Sequence, residues 1–337
     1  MPTILLSAPY MIPEYERFRP VFEAYGLRVI IPPVKERLEE EELLPYAGCI
    51  DGAICGDDRF TARVLEASAP RLKVIAKWGT GVDSIDREAA ARLGIQVRNT
   101  PNAFTDPVAD TVLGYILAFA RGLPWLDQAM KAGRWEKRIG YALNERTLGV
   151  IGVGNIGKAV LRRARAFGMR LLGNDIRPID PAFVQEVGVR MVPLEELLAE
   201  ADFISLNCDL NPTSYHLINR ETLALVKPGA VLINTARGPI VEEEALIDAL
   251  RTGRLAGAAL DVFEREPLPL DSPLRTMPNV LLAPHNANAS PRAWERVHWN
   301  TLRNLLEGLG LPTDELEAWQ RRLAPDLAAP SGSGGQA

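Results

Sequence analysis

Gly152-Val153-Gly154-Asn155-Ile156-Gly157 is the stretch on which the reading of this chain turns. It directly follows the apolar run 148–151 and opens an amphipathic stretch of helical spacing, 156–167. Strand, three glycines in G-x-G-x-x-G order and helix together make a turn that binds a dinucleotide. Gly152 permits the tight turn, Gly154 lets a pyrophosphate approach the backbone, and Gly157 lets helix and strand pack closely. The helix N-terminus then turns its N–H groups and positive dipole end toward the phosphates. Asp175 follows the next apolar run, 170–174, and stands 18 residues beyond Gly157. A carboxylate there takes ribose hydroxyls and repels a 2′-phosphate, so NAD is expected over NADP. Arg177, two residues on, is a cation that could reach such a phosphate.

On both sides of this unit short apolar runs alternate with amphipathic stretches, the mark of βαβ units and a parallel sheet. Upstream, strands are expected at 3–7, 27–31, 52–55, 73–77 and 96–98, with helices at 13–24, 39–44, 61–67 and 87–93. Gly26 and Gly94 stand just past two of those helices, where a left-handed cap is wanted. A second series has six strands, at 148–152, 170–174, 203–207, 231–235, 257–260 and 280–283. Its helices are expected at 156–167, 194–199, 220–225 and 242–252. Residues 106–121 read as a connecting helix, apolar on more than one face, hence buried and placed at the junction of the two blocks. From Pro291 the apolar positions Trp294, Val297, Thr301, Leu302, Leu305 and Leu309 recur at helical spacing. That helix is expected to return to the first block, so that one domain is inserted into the other. The expected division is 104–288 inserted between 1–103 and 289–323, with 324–337 a small, polar, disordered tail.

Composition bounds the function. A length of 337 residues suggests two domains at roughly 100–200 residues each. A net charge of −5 argues against a nucleic-acid binder. The first basic residue is Arg17, so no charged segment precedes an apolar run as in a secretory signal. The longest uncharged apolar stretch, 111–120, is about half of what a membrane-spanning helix needs. Cys49, Cys55 and Cys208 have no CxxC spacing and are expected to be buried thiols in a cytoplasmic protein. With three histidines, His216, His285 and His298, no metal site is expected.

Three further segments carry chemistry. Asn234-Thr235-Ala236-Arg237-Gly238, Asp261-Val262-Phe263-Glu264-Arg265-Glu266-Pro267 and Ala283-Pro284-His285-Asn286 each follow a strand of the second series. Arg237, Glu266 and His285 can therefore open on one crevice at the carboxyl edge of the sheet. The set suits reduction of a 2-keto acid. An imidazole can supply a proton to the alkoxide that forms as hydride arrives. A carboxylate beside it fixes its orientation, and a guanidinium fork can hold the substrate carboxylate and carbonyl.

Together the segments resemble the D-isomer-specific 2-hydroxyacid dehydrogenases, in particular their phosphoglycerate dehydrogenase-like branch. The likeness runs over about residues 50–310. It rests on Lys77-Trp78-Gly79-Thr80-Gly81-Val82-Asp83, Asn99-Thr100-Pro101, Val108-Ala109-Asp110, the glycine motif, Ala236-Arg237-Gly238, Asp261-Val262-Phe263 with Glu266-Pro267, and Pro284-His285. It implies a Rossmann doubly wound parallel sheet inserted into a flavodoxin-like α/β substrate domain, and a homodimer in which cofactor domains touch. It implies that Arg237 binds substrate, His285 is the acid/base and Glu266 its partner. Trp78, Gly79, Thr80 and Gly81 match the loop that holds the substrate carboxylate, although Trp78 also reads as a packed core aromatic. Val108, Asn155, Ile156 and Asp175 match cofactor contacts, and Ala236 and Asp261 match residues beside the nicotinamide.

The chain departs from the family pattern at Asp110, at Asn207-Cys208-Asp209 and at Asn286-Ala287-Asn288. The last run lies beside His285 and bears on substrate identity. His216 and His298 are read as structural. If the substrate is 3-phosphoglycerate, Lys77, Arg98 and Arg292 are the candidate phosphate ligands. Glyoxylate, hydroxypyruvate or phosphite are the alternatives within the family, and an NAD-sensing corepressor-like protein is the alternative outside enzymes. No room is seen after residue 320 for a serine-responsive regulatory domain of the kind longer phosphoglycerate dehydrogenases carry.

Overall fold

Residues 1–324 are described in the computed structural model. The chain divides into two units, Phe104–Ala289 and Met1–Ala103 with the chain from Ser290. In the first unit the strands are β1 (Thr3–Leu6), β2 (Arg28–Ile30), β3 (Gly52–Cys55), β4 (Val74–Lys77) and β5 (Gln96–Arg98), with helices α1 (Tyr15–Ala24), α2 (Glu40–Leu43), α3 (Ala62–Ser68) and α4 (Arg87–Arg92) between them. All neighbours are parallel, in the order β2-β1-β3-β4-β5 of a flavodoxin-like sheet. The central strands β1, β3 and β4 are buried along their whole length, which is why they read as unbroken apolar runs rather than alternating ones. Thr61 and Asp86 cap α3 and α4 by accepting from the N–H of Val64 and Ala89. Gly26 and Gly94 have φ of +62° and +71°, the left-handed conformation expected after a helix.

The second unit begins with α5 (Thr105–Arg121) and α6 (Leu123–Lys131) and continues through β6 (Thr147–Ile151), α7 (Asn155–Ala166), β7 (Arg170–Asn174), α8 (Pro181–Val187), β8 (Arg190–Met191), α9 (Leu194–Glu200), β9 (Phe203–Leu206), α10 (Arg220–Leu225), β10 (Ala230–Asn234), α11 (Glu243–Arg251), β11 (Leu255–Leu260) and β12 (Val280–Leu282). The sheet order is β12-β11-β10-β9-β6-β7-β8, all parallel, with the chain reversing direction of travel between β6 and β9. That is the Rossmann arrangement, and ligands bind such sheets at the switch point beyond the strand carboxyl ends. The apolar stripe of α5 packs inside this unit: Ala109, Val112, Leu113 and Ile116 share a core with Val160 and Leu161 of α7 and Leu148 and Val150 of β6.

The chain returns to the first unit in α12 (Pro291–Gly308) and α13 (Leu316–Leu323). The contact is close. A Cβ on Gly308 would stand 2.3 Å from Val74 Cγ2, and one on Gly52 would stand 2.8 Å from Leu305 Cδ1. At Gly308 glycine lets the helix lie this near β4, while at Gly52 the end of the Leu305 side chain would have to give way.

The structure corrects four expectations. It has a seventh strand in the second sheet, β8, whose two residues pair with Leu172 and Gly173 and are too few to show a pattern. It has three unforeseen helices, α6, α8 and α13. Cys49 is exposed and Cys208 only half-buried, while Cys55 is buried. Ala324, assigned to the tail, closes α13 by donating its N–H to Gln320 O; the rest of that expected tail, 325–337, lies outside the described residues.

Asp58 and His298 are among the titratable groups in the interior of the first unit. Asp58 is wholly buried and accepts from Ser7 Oγ at 2.5 Å and Leu38 N at 2.6 Å; burial pushes its pKa up to about 6. His298 accepts the Trp78 Nε1–H on Nδ1 at 3.0 Å, and burial pushes it down to about 4. Their effects on stability have opposite signs. A raised carboxyl pKa means that the native state binds its proton more tightly, so Asp58 contributes most below 3.8 and loses this as pH rises through about 6. A lowered histidine pKa contributes fully above 6.5 and is lost as pH falls through about 4. Between these limits the two offset each other. Asp58→Asn is therefore expected to make the unfolding free energy climb more steeply from pH 4 to 6 than in the unsubstituted protein, by at most about 3 kcal/mol. Urea unfolding across that range checks it; identical pH dependences would contradict the assignment.

Candidate active site

The registry of the second sheet sets the site. Asn174 pairs with Ile151, Ile151 with Leu206, Leu206 with Asn234, Asn234 with Leu260 and Leu260 with Leu282. These six residues form one row across the sheet, and each ends its strand except for the loop that follows. The loops that carry Gly152, Asp175, Arg237, Glu266 and His285 thus leave the sheet at the same level, with strands about 4.8 Å apart.

At β6 the glycine turn has the shape that a pyrophosphate needs. Gly152 has φ +87° and its N–H donates to Asn174 O at 2.8 Å. A Cβ there would stand 2.5 Å from Cys208 N, and a Cβ on Gly157 would stand 2.1 Å from Gly152 O. A Cβ on Gly154 would meet nothing within 4 Å. The first and third glycines are needed by the protein's own packing, while the second borders open space. Gly154 is the N-cap of α7 and has no side chain to cap it. Asn155 and Ile156 form the first turn of that helix. Asp175 accepts Val153 N at 2.7 Å on one oxygen and Arg177 N at 2.8 Å on the other, so its carboxylate is fixed at the end of β7. A carboxylate has roughly four acceptor positions, which leaves capacity for ribose hydroxyls. The residues present fit a dinucleotide. Cys208, beside Gly152, has its thiol pushed up to about 11, first by burial.

Beyond β10, Asn234 shapes the turn that carries Arg237. Its Oδ1 accepts Ala236 N at 3.1 Å, and its Nδ2 donates to Arg237 O at 2.9 Å. Arg237 Nη1 donates to Ala236 O at 2.8 Å. Ala236 packs on the core beneath. Gly238 lies so close to the next loop that a Cβ would stand 1.9 Å from the carbonyl carbon and oxygen of Phe263.

The β11 and β12 loops meet through a carboxylate–imidazole pair. Glu266 Oε1 accepts Phe263 N at 3.0 Å, and Oε2 lies 3.0 Å from His285 Nδ1. That contact places the Nδ1 proton toward Glu266 and sets Nε2 as the opposite nitrogen. His285 adopts φ +49°, uncommon for a residue with a side chain. Asp261 holds it there. Its carbonyl accepts His285 N at 2.7 Å, and its carboxylate oxygens accept Asn286 N at 2.8 Å and Ala287 N at 2.9 Å. Burial raises the Asp261 pKa, against those two N–H groups. From sequence Asp261 matches a residue beside the nicotinamide; in the structure its buried carboxylate also braces the loop of His285. Neither this bracing nor that by Asn234 was read from the sequence, although Asn two residues before a turn is a recognisable Asx signal. Val108 is buried in the second turn of α5.

In the first unit, the loop after β4 turns its carbonyls away on one side. Gly79 O accepts both Thr100 N and Thr100 Oγ1 at 2.9 Å, and Thr80 O accepts Asn99 Nδ2 at 2.6 Å. Across a trans peptide N–H points opposite to C=O, so the N–H groups of Thr80 and Gly81 face the other way. Successive amides turned to one side in this way can hold an anion. Trp78 is buried, 5.1 Å from Tyr10 and 5.7 Å from Trp294 between ring centroids. Lys77 is 4% exposed; its Nζ lies 3.0 Å from Asp57 Oδ1 and 3.2 Å from Trp78 O. Arg98 pairs with Glu307. Arg292 is exposed in the first turn of α12, two positions from Trp294 and so on a different face of that helix.

Residues 113–287 match the model of the D-isomer specific 2-hydroxyacid dehydrogenase, NAD binding domain. The chain belongs to the D-isomer specific 2-hydroxyacid dehydrogenase family. It is 44% identical over 256 residues to a glyoxylate reductase of Korarchaeum cryptofilum, covering 74% of this chain and 76% of that protein. It is 43% identical over 260 residues to a D-3-phosphoglycerate dehydrogenase of Methanocaldococcus jannaschii, over 76% of this chain and 49% of that longer protein. Among solved structures, a D-lactate dehydrogenase of Aquifex aeolicus in complex with NAD and lactic acid superposes with a TM-score of 0.81 at 27% identity, over 98% of this chain and 100% of that one. This member of the family is an NAD-dependent D-2-hydroxyacid dehydrogenase. Among the described residues no group of His, Cys, Asp or Glu is arranged to hold a metal, and no helix is long and apolar enough to cross a membrane.

Proposed function

We propose that the enzyme reduces a small, unphosphorylated 2-keto acid of the glyoxylate or hydroxypyruvate kind. The observation that carries this reading is the pairing of two of the three candidate phosphate ligands: Lys77 is buried on Asp57 and Arg98 is paired with Glu307, while Arg292 is exposed in the first turn of α12. Aromatic rings, Tyr10, Trp78 and Trp294, stand beside the loop after β4 instead. The match to glyoxylate reductases supports the same choice.

In this reading Gly152, Gly154 and Gly157 admit the pyrophosphate, Asn155 and Ile156 receive it, and Asp175 takes the ribose. Bound NADH supplies the hydride. Ala236 lines the nicotinamide side, and Val108 backs it. The Thr80 and Gly81 amides, with Gly79 and Trp78 shaping their loop, receive the substrate carboxylate. The Arg237 guanidinium fork holds carboxylate and carbonyl together. His285 delivers a proton to the alkoxide oxygen, and Glu266 keeps its ring turned to do so. Asp261 and Asn234 hold the loops in place.

The test is a panel of 2-keto acids with NADH. The expected outcome is a kcat/KM for glyoxylate or hydroxypyruvate at least about tenfold above that for phosphohydroxypyruvate, since each missing phosphate contact is worth about 1.4 kcal/mol or more. Preference for the phosphorylated acid would overturn the reading. Tight NADH binding with no turnover on the whole panel would favour the sensing protein.

We also propose that the enzyme is a homodimer. The support is a run of apolar side chains left exposed among the described residues: Leu123 and Met130 of α6, and Trp135 and Ile139 beyond it. Sedimentation is expected to give twice the chain mass, and Trp135→Asp with Ile139→Asp to give the single mass. A single-mass unsubstituted protein would contradict this.

A further inference from the structure

His216 lies in the loop after β9 and was read from sequence as a structural residue with no part in the reaction. It touches the loops of two proposed catalytic residues. Its N–H donates to Pro239 O at 2.9 Å, two residues past Arg237. Its Nε2 lies 2.6 Å from Glu264 Oε1, two residues before Glu266. The backbone beside it is stitched to the Arg237 loop, with Ile218 N donating to Ile240 O at 3.0 Å and Glu242 N to Ile218 O at 2.8 Å. The imidazole therefore adds a tie between that loop and the next one. It does so from φ +48°, a conformation that costs energy outside glycine and is kept where surrounding contacts impose it. The Tyr215 ring stacks on it at 4.0 Å, and Asn219 Nδ2 holds its carbonyl at 3.0 Å.

We propose that His216 is a positioning residue, which through Glu264 and Pro239 sets the Arg237 loop in register with the Glu266–His285 pair. The path is continuous. Glu264 adjoins Phe263, whose N–H fixes Glu266 Oε1, and Glu266 Oε2 fixes His285. Gly238 is pressed on Phe263 and Glu264 from the other side, so a shift of one loop moves the other. Both members of the His216–Glu264 pair are about one-third exposed, 31% and 33%. Pairs so exposed add little to stability. Its loss is then felt in the alignment of the reacting groups and not in the melting temperature. The proposal rests on Arg237, Glu266 and His285 being the machinery.

The test compares the intact protein with His216→Phe, which keeps the ring stack, His216→Gln, which can still donate to Glu264, Glu264→Gln, and the His216→Phe/Glu264→Gln double variant. His216→Phe is expected to lower kcat for the best 2-keto acid about tenfold or more and to raise the isotope effect seen with deuterated NADH. NADH affinity should stay within about twofold and the melting temperature within about 2 °C. His216→Gln should recover most of the rate, and the double variant should be no slower than His216→Phe alone. A His216→Phe enzyme with unchanged kcat and KM, or one whose lost rate follows a fall in melting temperature or NADH affinity, would overturn the proposal. Additive losses in the double variant would overturn it too. If the unsubstituted protein turned over no 2-keto acid, the functional reading would fall first and this proposal with it.

Discussion

His285→Asn should lower kcat for 2-keto acid reduction by roughly two to four orders of magnitude while NADH affinity stays within about threefold. Asparagine is chosen for the backbone. His285 sits at φ +49°, which asparagine adopts more readily than most residues with a side chain. The loop is held by main-chain bonds to Asp261, from the N–H groups of residues 285, 286 and 287, none of which the substitution removes. What is lost is the ring, with Nδ1 turned to Glu266 Oε2 and the proton it can deliver. Fluorescence titration with NADH and steady-state rates separate the two effects. A variant retaining more than about a tenth of the rate would show that the alkoxide takes its proton from elsewhere.

Gly238→Ala is expected to be nearly as damaging, by a different route. The added carbon would stand 1.9 Å from Phe263 C and O and 2.4 Å from Glu264 N. These are backbone atoms, so no flexible side-chain end can give way. Either the Arg237 loop or the Glu266 loop must move by more than an ångström. Overpacking of this kind costs about 3 kcal/mol, and a misplacement of about 1 Å in reacting groups costs about a hundredfold in kcat/KM. Urea unfolding and kinetics on the one variant read both. Unchanged stability together with unchanged kcat/KM would contradict the close packing of the two loops.

Much of this was legible in the sequence because it was local. The glycine turn, the Asp175 that follows it and the three loops of Arg237, Glu266 and His285 each announce themselves within a few residues of a strand end. The helix α12 was legible in the helical spacing from Pro291. Strand order was not, since nothing in 3–6 or 52–55 says that they pair with each other and that 28–30 lies outside them. α6 was missed because its inner face, with Trp125 packed on Phe119, is only half-buried and no residue of the helix is fully buried. α8 did carry a signal, Asp180 before Pro181, with the aspartate accepting Ala182 N, but seven residues gave too little periodicity to use it. In the site, the supports escaped for a common reason. Asp261 acts on residues 25 and 26 positions away and His216 on Glu264 48 away, and such partners exist only once the sheet has aligned the loops.

This chain is expected to move a hydride between NADH and C2 of a 2-keto acid, with D configuration at the new centre. The most direct measurement is the fate of deuterium from NADH labelled at the transferring position, with hydroxypyruvate as acceptor. The expected product is D-glycerate carrying the deuterium on C2. Product of L configuration, or product without the label at C2, would contradict the account.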